Sequence, residues 1–321
     1  MRNAFFAALG DLARDDERVE LVVGDVGYGA MEAFAEEFPD RVLNAGIAEQ
    51  NMTGVATGLA LTGSVVFTYS IANFPTLRCL EQLRNDACYH RANVKVVAVG
   101  GGLSYGSLGM SHHATEDLAI LRALPGMAVA VAGDAHEARA LTGEVGRLEG
   151  PAYLRLGKAG EPTVHTAPPS VPPGSSVVVA PGDDVALLAC GSMLPIAVEV
   201  SLLLAADGIA ARVVSVPWIS PIDEDAVWAA AETQLVVTME EHSVVGGLGG
   251  AVAELLAERT SAPLLRIGLP HRYESVVGDQ EFLRRRHGLD AASVADRIRA
   301  RARQTSAGPT SAGMYTSDLP R

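Results

Sequence analysis

Apolar and polar positions change rhythm repeatedly along this chain. Residues 2–14 (RNAFFAALGDLAR) put Phe5, Phe6, Leu9 and Leu12 on one side of a predicted helix. Residues 19–24 (VELVVG) read as a buried strand. Helical spacing returns near 48–61, 74–91 and 134–148, alternating with short apolar runs near 64–68, 94–99 and 127–132. Strands separated by helices predict a mostly parallel sheet covered on both faces.

The rhythm breaks at AGEPTVHTAPPSVPPGSS, a stretch rich in Pro, Gly and Ser that reads as a linker. It then restarts with strands near 185–189, 211–216, 234–239 and 263–267 and helices near 193–206, 223–231 and 247–259. The expected organisation is α/β with two parallel-sheet-based domains, residues 1–157 and 176–303, joined by a linker at 158–175. Residues 304–321 are polar and aperiodic and predict a disordered tail.

Composition narrows the function. Hydrophobic residues are 48% but aromatics only 5%, so Ala, Val and Leu must fill the cores. A net charge of -13 argues against a nucleic-acid surface, which needs clustered Lys and Arg. The 3 cysteines have no metal-ligand spacing and fit a reducing compartment. No secretory leader pattern opens the chain, and Gly, Pro or charge interrupts every apolar run before it could cross a bilayer. A cytoplasmic protein without membrane contact is expected.

Four segments could carry chemistry. In VVGDVGYG, Asp25 ends a strand, where open α/β sheets bind ligands. Asp and Gly are equally the ordinary residues of a turn. In NAGIAEQNMTGVATGLA, Glu49 opens a small, apolar helix. It is either a structural acid favoured by the helix dipole or a carboxylate that bonds a heterocycle nitrogen. In TYSIANFPTLRCLEQLRNDACYH, Tyr69 and Phe74 flank a strand-to-helix junction. Phe74 reads as core packing or as a stacking platform. In GGGLSYGSLGMSHHATED, a glycine-rich loop ends in His112 and His113, which invites proton transfer. His112 and Glu116 lie one turn apart, but no third ligand is spaced to close a metal site.

Together these segments resemble the thiamine-diphosphate-dependent transketolases. The resemblance extends to 1-deoxyxylulose-5-phosphate synthases and to beta subunits of 2-oxoacid dehydrogenases. VVTMEEHSVVGGLGGAVAELL and RIGLPHRYESVVGDQEFLRRRHGLD are similar to the C-terminal domain of the same enzymes, so the resemblance covers residues 1–303. It implies a pyrimidine-binding domain at 1–157 and a transketolase C-terminal domain at 176–303. It also implies that Glu49 bonds N1′ of the cofactor's aminopyrimidine, favouring the imino form that accepts the thiazolium C2 proton. Phe74 matches the aromatic stacked on that ring, with Tyr69 beside it, and Asp25 the strand-end acid near the thiazolium. His112 matches the histidine that handles the donor ketose, with His113 next to it.

In this family Mg2+ holds the diphosphate through a Gly-Asp-Gly motif and a later Asn. This chain has no Gly-Asp-Gly and no Asn after Asn93. The resemblance is therefore to the C-terminal half alone. It implies an N-terminal partner subunit with the diphosphate-binding domain and the metal ligands, assembled as α2β2. Leu108 replaces the aspartate that reads a sugar hydroxyl. Gly100 falls where a phosphate-contacting histidine is expected and Val131 where an arginine is, while Arg2 matches a phosphate-binding arginine by its spacing to Asp25. Most of a phosphate clamp is missing, which points to a nonphosphorylated or activated acceptor.

The expected activity is transfer of a two-carbon ketol group from a ketose (phosphate) donor to an aldehyde or activated acceptor. The alternative enzyme decarboxylates a 2-oxoacid. The alternative without catalysis is a binding or regulatory module, since fold alone does not prove function. Glu240, Glu241 and His242 read as a strand-end network rather than a catalytic group.

Overall fold

The computed structural model describes residues 1–306. In the first half the strands are β1 (Val19–Val23), β2 (Val42–Asn44), β3 (Val65–Ile71), β4 (Val94–Val99), β5 (Ala128–Val131) and β6 (Ala152–Leu156). The helices are α1 (Arg2–Asp15), α2 (Glu32–Glu37), α3 (Glu49–Leu61), α4 (Leu80–Gln82), α5 (Asp117–Arg122) and α6 (Ala135–Arg147). In the second half the strands are β7 (Val177–Ala180), β8 (Val185–Ala189), β9 (Ala211–Ser215), β10 (Trp218–Ser220), β11 (Leu235–Ser243) and β12 (Leu264–Leu269). The helices there are α7 (Leu194–Ala205), α8 (Glu224–Ala231), α9 (Leu248–Arg259), α10 (Gln280–Arg286) and α11 (Ala291–Ser306).

These strands form a seven-stranded sheet, β10-β5-β6-β4-β3-β1-β2, and a five-stranded sheet, β12-β11-β8-β9-β7. Pairing is parallel except at one edge of each sheet, where β10 meets β5 and β7 meets β9 antiparallel. β4, β6 and β8 are buried along their whole length, as strands between helix layers require, and β8 is made of Val, Leu and Ala alone. On one face of the first sheet, Phe5 and Leu9 of α1 and Leu141 and Val145 of α6 pack over β1 and β3. On the other face, Met52 and Ala56 of α3 join a core that continues to Ala186, Leu188 and Val236 of the second sheet.

The two halves are interlocked. β10 comes from the second half but extends the first sheet. Trp218, fully buried on β10, donates through Nε1 to the Val171 carbonyl at 3.0 Å. Residues 158–175 hold no helix or strand, and His165 among them is pinned to Asp134, the N-cap of α6.

Some sequence expectations need correction. The helix predicted over 74–91 begins only at Leu80 and becomes a π-helical turn at Leu83–Cys88. Pro75 disfavours helical backbone at Phe74, and the Thr76 hydroxyl donates to the Ala72 carbonyl at 2.7 Å. The tail predicted from residue 304 starts as helix, since α11 runs to Ser306; its remainder lies outside the described residues. Strand β6 was not anticipated, because Arg155 interrupts its short apolar run.

Strand order creates one crevice. From β1 the chain turns to β2 on one side of the sheet, and β3 then lies on β1's other side. Loops leaving β1 and β3 diverge, and ligands of open α/β sheets bind at such switch points.

Candidate active site

Helix α3 delivers Glu49 to that crevice. Its carboxylate is 2% exposed at the helix N-terminus, where the dipole favours negative charge. The helix is otherwise satisfied: the Thr53 and Thr57 hydroxyls donate to the Glu49 and Thr53 carbonyls at 2.9 Å. Arg78 Nη1 donates to Glu49 Oε2 at 2.6 Å. The same guanidinium lies over Phe74, with Cζ 4.8 Å from the ring centroid.

Phe74 in turn meets His112. Their ring centroids are 5.3 Å apart and the planes cross at 68°. His112 Nδ1 lies 3.1 Å from Ser111 Oγ. Asn73 Nδ2 donates to the Ser111 carbonyl at 2.6 Å, tying the Phe74 turn to the histidine loop. Glu49, Phe74 and His112 thus share one crevice, linked by Arg78, which the sequence did not single out.

Strand alternation corrects a neighbour. Tyr69 faces away, stacked on Phe5 with centroids 5.7 Å apart, and burial pushes its hydroxyl pKa up. Ser70, the next residue, faces Glu49 instead. A Cβ placed on Gly24 would stand 3.6 Å from both Glu49 Cγ and Ser70 Oγ. Ser70 is fully buried and its Oγ has no partner, and the buried Asn73 Oδ1 has none either. The period of two in β3 would have pointed to Ser70 rather than Tyr69.

Asp25 lies two residues beyond β1, and Gly24 between them donates its N–H to the Tyr69 carbonyl of β3 at 3.3 Å. Its backbone is left-handed, φ 56. Its carboxylate accepts from Tyr28 Oη at 2.6 Å and Asn44 Nδ2 at 3.0 Å, which holds its pKa below the usual range.

The other expected residues fall elsewhere. Arg2, on α1, has a buried Nε without a partner, and its charge acts on the hydroxyls of Tyr69 and Tyr105. A Cβ on Gly100 would come within 2.1 Å of the Tyr105 ring, so that tyrosine fills the place of a side chain at 100. Lys158 Nζ sits 5.0 Å from the Tyr105 centroid. Lys158 was not anticipated: no spacing marks it, and it meets Arg2 at Tyr105 only through the fold. Leu108 is 53% exposed on the histidine loop.

His113 turns away from His112 and lines a cavity of about 30 Å³ between the two halves, near Glu116, Glu274 and His287. It is buried, its Nε2 is unpartnered, and burial lowers its pKa despite nearby carboxylates. Its expected place beside a substrate is therefore corrected to the internal seam. That seam also clasps the histidine loop. Gly102 bridges Ala114, and Glu241 accepts from Leu103 N at 2.6 Å and Gln280 Nε2 at 2.8 Å and pairs with Arg284.

The crevice suits a flat heterocycle: a buried carboxylate beside an aromatic face, with an orphaned hydroxyl and amide oxygen on the adjoining strand end. Among the described residues, no group of three or more His, Cys, Asp or Glu could hold a metal ion. No described helix is long and apolar enough to cross a membrane.

Comparison with known proteins gives the family of both halves. Residues 1–160 match the transketolase pyrimidine-binding domain, and residues 174–294 match the transketolase C-terminal domain. The chain is 37% identical over 293 residues to one subunit of the apulose-4-phosphate transketolase of Phocaeicola vulgatus, covering 90% of this chain and 93% of that protein. It is 35% identical over 298 residues to 1-deoxy-D-xylulose-5-phosphate synthase 1 of Geobacter sulfurreducens, covering 91% of this chain but 46% of that one. A solved split-gene transketolase, an inactive β4 tetramer, superposes with TM-score 0.88 at 38% identity, covering 94% of this chain and 98% of that one.

Proposed function

The chain belongs to the transketolase family, and from that premise we propose that it is the subunit carrying the pyrimidine-binding and C-terminal domains of a two-subunit, thiamine-diphosphate-dependent enzyme. The enzyme moves a two-carbon ketol group from a ketose donor to an aldehyde or activated acceptor. The observation that carries this reading is the convergence of Glu49, Phe74 and His112 in one crevice at the sheet's switch point.

Thiamine diphosphate, when bound, supplies the centre that stabilises a carbanion. Glu49 would hold the aminopyrimidine edge through a hydrogen bond at N1′. Phe74 gives the ring a face to stack on, and Ser70 and Asn73 offer buried polar atoms beside it. His112, steadied by Ser111 and the edge of Phe74, exchanges protons with the sugar's oxygens. Asp25, just past the end of β1, would serve the thiazolium part of the cofactor, and Leu108 would give the sugar an apolar neighbour on the histidine loop. Arg2 and Lys158, both at Tyr105, present positive charge to an anionic substrate end. The cytoplasm is its proposed compartment.

The diphosphate and its Mg2+ need ligands this sequence lacks, and a subunit with Gly-Asp-Gly and a downstream Asn provides them. The Phocaeicola relative is itself named as one subunit of its transketolase, which supports such a partner. The assembly proposed is α2β2, without which this chain is inactive.

Purification of the tagged chain from its own cells, with mass identification of what accompanies it, tests the pairing. The expected companion carries Gly-Asp-Gly. The purified pair is expected to transfer ketol groups between sugars and to release no carbon dioxide from pyruvate. Carbon dioxide release would make it a decarboxylating enzyme. A chain found alone and unable to take up thiamine diphosphate would be a non-catalytic module. Ordinary rates with aldose phosphates would remove the activated-acceptor part of the reading.

A further inference from the structure

Arg78 makes both contacts that a flat heterocycle in this crevice would need. Its Nη1 donates to Glu49 Oε2 at 2.6 Å, and its Cζ stands 4.8 Å from the Phe74 centroid. A guanidinium is planar, carries its donors along its edge and stacks on aromatic faces. An aminopyrimidine shares those properties, and stacked rings centre about 4.5–7 Å apart. One guanidinium touches both Glu49 and Phe74, so the ring face it covers is the face that Glu49 serves. Guanidinium and heterocycle compete for one volume.

The structure also shows how Arg78 can give way. Its side chain is 47% exposed. Its backbone is held separately, since Gln50 Nε2 donates to the Arg78 carbonyl at 3.1 Å. The side chain can swing outward without reshaping the Phe74 turn. Glu49 is buried, and a buried acceptor left without a donor is costly, so one planar donor has to replace another.

We propose that Arg78 is an internal stand-in for the cofactor's pyrimidine ring. It keeps Glu49 paired and Phe74 covered until the ring docks, and then turns out to solvent. This rests on the reading of the crevice given above and adds a consequence to it: Arg78 lowers the apparent affinity for the ring without being one of its ligands.

The bare ring, 4-amino-5-hydroxymethyl-2-methylpyrimidine, tests this on the full chain without the partner. The first readout is the Arg78 Nε–H signal in nitrogen-edited NMR, assigned by its loss in Arg78→Lys. The second is ring affinity by titration in wild type, Arg78→Ala and Glu49→Gln. Ring addition is expected to shift the Arg78 signal in wild type to that of a free guanidinium. Arg78→Ala is expected to bind the ring about tenfold tighter, the gain from removing a competing closed state. Glu49→Gln is expected to lose the ring.

Glu49-dependent binding with an unmoved Arg78 signal, or with equal or weaker affinity in Arg78→Ala, would overturn the stand-in and leave the cofactor reading intact. No ring binding by wild type or Arg78→Ala would overturn both. The wild-type signal decides the matter even if Arg78→Ala does not fold.

Discussion

Glu49 and Glu241 look alike by exposure and differ in everything else. Each is nearly sealed from water, at 2% and 3%. Glu241 is saturated: Leu103 N, Gln280 and Arg284 donate to it, and these groups come from both halves of the chain. Glu49 has one side-chain ion partner, a half-exposed arginine that also rests on an aromatic face. A buried carboxylate with every lone pair engaged is a rivet. One with a single displaceable partner beside orphaned polar atoms is poised for exchange. Burial alone does not separate the two; the completeness of hydrogen bonding does.

Substitution should pull the two acids apart. The largest effect is expected from Glu49→Gln, which should lower the ketol-transfer rate of the assembled enzyme by about 10²–10⁴-fold while the melting temperature stays near wild type. A large drop in stability with little change in rate would make Glu49 another rivet. Glu241→Ala should do the reverse, costing about 3 kcal/mol in urea unfolding, because it strands Arg284 and a buried backbone N–H. Catalysis by the folded fraction should survive.

His112→Ala sharpens the contrast within one loop. It should reduce the rate by about 10²-fold, measured as kcat under saturating donor, with unfolding unchanged. His113 lies in the seam, so His113→Ala should act on stability instead.

The smallest effect concerns the seam's response to pH. His165 donates to Asp134 and lies 3.5 Å from Glu137, and these carboxylates raise its pKa. A group whose pKa rises on folding stabilises most when protonated. The advantage of wild type over His165→Gln in urea unfolding should therefore be full below pH 6.5, the ordinary imidazole value. It should fade as pH climbs through the raised value. An advantage that grew with pH would mean that imidazole is held neutral there.

Much of this was legible from local pattern. Helix α3 starts at Glu49 because an acid followed by small apolar residues favours that end of a helix. The interruption at Pro-rich 158–175 needed only composition. The misreadings were local conflicts settled by distant groups. The helix expected from 74 is held off until 80 by Pro75, by the Thr76 hydroxyl and by Gln50 on α3. Tyr69 and Ser70 are neighbours in sequence, yet strand alternation sends one into the α1 core and the other toward Glu49.

By itself, then, the amino-acid order determined the alternation of strands and helices, the place of Glu49 at a helix start, and the likeness to one family. Those features depend on spacing within a few residues, where backbone geometry is repetitive. Only the tertiary structure decided that Arg78 pairs with Glu49, that Lys158 joins Arg2 at Tyr105, and that His113 leaves the crevice while His112 stays. These pairings join residues far apart in the chain. They follow from which strands lie side by side and from which face of each is buried, and no local spacing encodes either.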